Sequence, residues 1–75
     1  MVDVEDGEIL CDRLRRLRKA RVLTVRELSE ESGVHYVTIS RAENNPDYIP
    51  RPGTLRKLAR ALGVSVEYLA TGHSA

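Results

Sequence analysis

The sequence predicts an all-α fold, a compact bundle of five short helices, on three observations. Apolar residues recur at i, i+3, i+4 and i+7, the spacing that gathers them on one helix face. No stretch alternates apolar and polar residues as a half-buried strand would. Capping residues, glycines and prolines divide the chain into five short segments. A length of 75 residues allows one domain, near the lower end of what folds without covalent staples. The core must be mostly aliphatic, because Phe and Trp are absent and Tyr36, Tyr48 and Tyr68 supply the large rings.

Taken in order, residues 1–6 are acidic and lack apolar periodicity, so they read as a flexible tail. The folded domain is expected over residues 7–72, with a short tail at 73–75. Helix 1 is expected from Gly7 to Ala20, with Ile9 or Leu10, Leu14 and Leu17 at helical spacing. Helix 2 has the clearest start: in "TVRE", Thr24 can cap the amide of Glu27 while the Glu27 side chain reaches back. Val25, Leu28, Ser29 and Ser32 form its inner face. Gly33 ends it in the left-handed conformation that helix C-termini favour, and Val34 packs just after. Helix 3 is Tyr36 to Asn44, capped by His35. The loop "NNPDYIPRPG" carries all three prolines. Helix 4 places Leu55, Leu58, Ala59 and Leu62 on one face and stops at Gly63. Ser65 caps a short helix 5, "VEYLA", which ends near Gly72.

Composition removes several classes of function. The single cysteine, Cys11, forms no internal disulfide and is expected as a half-buried structural thiol. His35 and His73 are too far apart to make a metal site alone. No nucleophile, base and orienting partner cluster, so no enzyme, cofactor or small-molecule ligand is expected. Apolar runs are too short to span a membrane, and one cysteine suits a reducing cytoplasm. The net charge of +1 hides a segregation: five acids and no base up to Asp12, then twelve bases against five acids from Arg13 to Arg60. A basic folded portion admits a polyanion partner.

Helices 2 and 3, joined by a short link centred on Gly33, have the spacing of a helix-turn-helix. Ser29 is the small residue needed where the two helices cross. Gly33 supplies the positive φ of the turn, and Ile39 is the β-branched plug, with Leu28 and Val34 completing the set. Stepping helix 3 by ~100° per residue puts Ile39, Ala42 and Glu43 inward. Val37, Ser40, Arg41 and Asn44 then face outward, with Tyr36 and Thr38 on the flanks. An ordinary exposed stripe would be rich in Glu and Lys; this one suits the edges of base pairs. Arg41 can donate two hydrogen bonds to guanine, Val37 can pack on a thymine methyl, and Ser40 can serve either base or phosphate. Tyr36, at the helix start, either meets a base or packs on its own domain.

On the stretches "LRRLRKARVLTVRELSEESGVHYVTISRAEN" and "TLRKLARALGVSVEYLATG", the chain from about Leu10 to Gly72 resembles the Cro/C1-type (XRE) helix-turn-helix family. The resemblance implies a lambda-repressor-like DNA-binding domain whose third helix enters the major groove, usually as a symmetric dimer. It also implies an ion pair between Arg18, late in helix 1, and Glu43, late in helix 3. Three departures stand out: Val25 where many members carry a phosphate-holding Gln, Ser29 for the usual alanine, and a longer loop after Glu43 without the common glycine.

Taken together, these readings lead us to expect a sequence-specific transcriptional regulator, a repressor, that binds an inverted-repeat operator on double-stranded DNA in the cytoplasm. Tyr36, Val37, Ser40 and Arg41 are expected at base edges. Thr24, Arg26, His35, Thr38, Asn44 and Asn45 are expected at the backbone, since helix N-termini attract phosphates. The arginines of "RLRRLRKAR" read mostly as a solvated face. Tyr68 and Leu69 are either core or a homodimer seam through helix 5. The alternative function is an antitoxin-like or adaptor module that grips a protein.

Overall fold

A computed structural model of the chain describes residues 8–73. The expected acidic tail at 1–6, and Ser74 and Ala75 of the second tail, lie outside them. Five helices follow one another: α1 Leu10–Ala20, α2 Val25–Ser32, α3 Tyr36–Asn44, α4 Pro52–Leu62 and α5 Val66–Thr71. Helix α1 packs on α3 and α5, α2 on α3 and α4, and α4 on α5. One aliphatic core joins all five, with Leu14, Leu28, Ile39, Leu58 and Leu69 fully buried at its centre. Among the described residues no helix is long and apolar enough to cross a membrane.

Local chemistry sets most of the ends. Thr24 Oγ1 accepts from the Glu27 amide and Glu27 Oε1 from the Thr24 amide, at 3.0 and 2.9 Å, so the capping box closes in both directions. Gly33, at the C-terminus of α2, takes φ +78°. A Cβ there would meet no atom within 4 Å, so the turn requires glycine for its dihedral and not for space. Ser65 Oγ accepts from the Tyr68 amide and starts α5. Pro52 opens α4 at the position where a missing amide costs nothing.

Helix α1 is shorter than expected, starting at Leu10 and not Gly7. Ile9 flanks it in extended backbone and provides no side-chain cap. Glu8 is drawn elsewhere: its carbonyl accepts from Arg13 Nη2 at 2.6 Å and its carboxylate from Arg16 Nε at 2.8 Å. Leu10, and not Ile9, takes the core position.

The arginines of α1 overturn their reading as a solvated face. Arg13 is buried, and its Nη1 donates to the Leu69 carbonyl at 2.9 Å, in the last turns of α5. Arg15 donates to the Glu43 carbonyl, near the end of α3. Arg21 Nη1 donates to the Ala61 carbonyl, near the end of α4, at 3.3 Å. Three guanidiniums from one short segment thus satisfy carbonyls at the C-terminal ends of three other helices, where the macrodipole also favours a cation.

Leu69 corrects the dimer-seam alternative. Its exposure is 0%, so it belongs to the core and has no surface to offer a second copy. Tyr68 beside it is half-buried, with its hydroxyl accepting from Arg16 Nη2 at 2.9 Å. Cys11 is buried, with its thiol oriented towards Asp12.

Candidate nucleic-acid interface

The orientation of α3 is set from behind. Ile39 and Ala42 enter the core, and Glu43 is 2% exposed. Arg18 Nε and Nη2 donate to the two Glu43 carboxylate oxygens at 2.7 and 2.9 Å, a bidentate pair. Arg18 Nη1 also donates to the Leu23 carbonyl at 2.7 Å. The hydrogen bonds to Glu43 raise the Arg18 guanidinium above its usual pKa, with burial opposing. On the turn side, Ser29 Oγ donates to the Val34 carbonyl at 2.6 Å, and the Val34 amide donates to Ser32 Oγ at 3.1 Å. The small serine at the helix crossing therefore also satisfies the backbone of the turn.

With the back fixed, the front of α3 is defined. Tyr36 and Val37 are 45% and 44% exposed, Arg41 is exposed and Ser40 is half-buried between them. Thr38 is half-buried on the flank. Asn44 is exposed, but its amide nitrogen donates back to the Ser40 carbonyl at 2.8 Å and to Ser40 Oγ at 3.3 Å. Arg41 Cζ lies 5.4 Å from the centroid of the Tyr48 ring.

At the start of α3, His35 Nδ1 accepts from the Val37 amide at 3.1 Å. The His35 and Tyr36 rings stack with centroids 4.8 Å apart, and Arg26 Cζ lies 5.3 Å from the Tyr36 centroid. Tyr36 therefore packs on its own domain on one side and still shows nearly half its surface. Thr24 and Arg26 are exposed at the start of α2, and Asn45 is exposed at the far end of α3. Val25 turns inward against the core, which accounts for an apolar residue at that position. The capping box occupies the Thr24 and Glu27 amides, leaving the Val25 and Arg26 amides open at the start of α2.

A helix-turn-helix family model matches residues 14–69, which span α2, α3 and α4 in full and most of α1 and α5. The chain belongs to the Cro/C1-type helix-turn-helix family. Relatives of this helix-turn-helix chain include the uncharacterised HTH-type transcriptional regulator RghRB of Bacillus subtilis (strain 168). It is 48% identical over 62 residues, covering 80% of this chain and 45% of the relative. The HTH-type transcriptional repressor RghR of the same organism is 47% identical over 62 residues, covering 83% and 46%. The chain spans less than half the length of these relatives.

Within this helix-turn-helix unit, the expected base-edge residues share one face, and Thr24, Arg26 and His35 gather at the two helix starts. Two side chains at the site were not anticipated. Arg15 braces α3 through the Glu43 carbonyl, and nothing in the spacing of α1 distinguishes it from the neighbouring arginines. Tyr48 reaches Arg41 from the proline-rich loop, whose path no periodicity reveals.

Proposed function

We propose that this chain is the sequence-specific DNA-binding module of a transcriptional repressor that acts in the cytoplasm, on the nucleoid, at an inverted-repeat operator. The observation that carries the proposal is the front of α3, where Val37, Ser40 and Arg41 project from a helix fixed from behind by Arg18 and Ile39. Arg41 donates a pair of hydrogen bonds to a guanine edge, Val37 packs on a thymine methyl, and Tyr36 and Ser40 complete the contact. The open amides of Val25 and Arg26, with Thr24, Arg26, His35, Thr38, Asn44 and Asn45, hold phosphates on either side. One nine-residue helix covers few base pairs, so two copies occupy half-sites about one helical turn apart. Their contact lies near α5 and uses exposed groups such as Val66, not Leu69. The name of RghR as a transcriptional repressor supports the same direction of control.

Selection from random duplex DNA, followed by affinity measurements on the selected site at several salt concentrations, tests this reading. An inverted repeat bound far more tightly than random duplex is the expected result, with sedimentation giving two copies per site. In Arg41→Ala, discrimination at one base position per half-site should fall by ~1–3 kcal/mol. A loss spread evenly over all sequences would instead place Arg41 on a phosphate.

A further inference from the structure

We propose that Tyr48 is a specificity-determining residue whose ring orients the Arg41 guanidinium for base readout. The proposal rests on the DNA-reading role of α3 put forward above. Tyr48 belongs to the loop between α3 and α4, outside the helix-turn-helix itself. The separation of 5.4 Å between Arg41 Cζ and its ring centroid is within the range at which the negative face of an aromatic ring attracts a cation. Among the described residues the Arg41 guanidinium has no hydrogen bond or ion pair, so this ring is what holds it.

The ring is the platform, and the arginine is the part it positions. Tyr48 is half-buried and packs against the hydrophobic core. Its amide donates to the Asn45 carbonyl at 3.1 Å, and Asn45 Oδ1 accepts from the Asp47 amide at 3.0 Å. Pro46, Pro50 and Pro52 restrict the backbone on both sides, and Pro50 is itself buried. Arg41, by contrast, is a long exposed side chain, and a bidentate contact to guanine requires its plane to be fixed. Ser40 and Asn44 do not hold it: the Asn44 amide nitrogen donates to Ser40, and neither side chain is hydrogen-bonded to Arg41. The loop thereby takes part in base choice without touching a base.

Affinities of the wild type, Tyr48→Phe, Tyr48→Leu and Tyr48→Leu combined with Arg41→Ala test the proposal. The probes are the selected duplex, its single-base changes and random duplex. Tyr48→Leu, which keeps apolar bulk against the core, should lower discrimination at the Arg41 base position by about two- to fivefold. Tyr48→Phe should retain it, and the double variant should lose no more than Arg41→Ala alone. Independently of DNA, and of whether Tyr48→Leu folds, the Arg41 δ-methylene protons should be ring-shifted upfield in the wild type and in Tyr48→Phe. Absence of that shift overturns the proposal, as does a uniform loss over all duplexes or a Tyr48→Phe effect equal to Tyr48→Leu. Wild-type protein that binds selected and random duplex alike refutes the reading role of α3. Full wild-type selectivity in a folded Tyr48→Leu refutes the Tyr48 role alone.

Discussion

At the scale of single residues, Val22 breaks a backbone rule that Gly33, Gly63 and Gly72 obey. It follows α1 with φ +57°, and it is the only non-glycine residue at positive φ among the described residues. A β-branched side chain is poorly suited to this region, at a cost of ~1–2 kcal/mol. The conformation persists because the ending of α1 requires it: the Val22 amide donates to the Lys19 carbonyl at 2.9 Å and the Leu23 amide to the Arg18 carbonyl at 3.2 Å. The side chain offers little in return, being 86% exposed. Val22→Gly should therefore stabilise the fold by about 1 kcal/mol, a rise of several degrees in Tm. Chemical denaturation would check this, and a destabilised variant would mean the valine makes a contact that outweighs its strain. Gly72 is the opposite case. At φ +82° its Cβ would lie 2.8 Å from Arg13 Nη2, so Gly72→Ala incurs both backbone strain and displacement of a buried guanidinium.

At the scale of elements, α1 is the brace of the molecule, and α3 is the element it braces. Arg15 and Arg18 reach the carbonyl and the carboxylate of one residue, Glu43. In Glu43→Gln the Arg18 charge loses its counter-ion at a site where the two side chains are 12% and 3% exposed. Stability should fall by about 3 kcal/mol, the lower part of the range for a broken buried pair, because the Leu23 carbonyl still accepts from Arg18. Unchanged thermal unfolding would remove the pair from any role in fixing α3. Legibility also divides by element. Helix α2 could be read in full, because its start, inner face and end depend on neighbours within a few residues. So could the front and back of α3, since helical phase alone separates Ile39 from Arg41. The arginines of α1 could not be read this way. Arg13, Arg15 and Arg16 share a helix and a chemistry, and their different fates depend on which groups of other segments lie opposite: carbonyls for Arg13 and Arg15, a carboxylate and a hydroxyl for Arg16. Tyr48 was illegible for the same reason, being placed by a loop and not by a period.

At the scale of the whole molecule, internal use of α1 changes the meaning of the charge distribution. Arg13, Arg15, Arg16, Arg18 and Arg21 are engaged within the fold, so the bases left for the proposed polyanion partner are mainly Lys19, Arg26, Arg41 and those from Arg51 to Arg60. The acidic start of the domain contributes to this arrangement through Glu8. Its hydrogen bond from Arg16 holds its carboxyl below the usual carboxylate range, with burial opposing and the nearby Arg16 and Arg13 charges assisting. A lowered carboxyl pKa adds stability that is complete above the unfolded-state value and lost as pH falls through the folded-state value. Glu8→Gln should therefore be less stable than wild type near neutral pH, and the gap should close on acidification below about pH 4. A gap that stays constant from neutral to acid pH would assign the loss to packing instead. The three tyrosines carry a practical consequence of their placement. With no tryptophan in the chain, ultraviolet emission comes from Tyr36 against Arg26, Tyr48 against Arg41, and Tyr68 of α5 against Arg16. Two of the three fluorophores thus adjoin the candidate binding face, so the unlabelled protein carries its own optical reporter of occupancy.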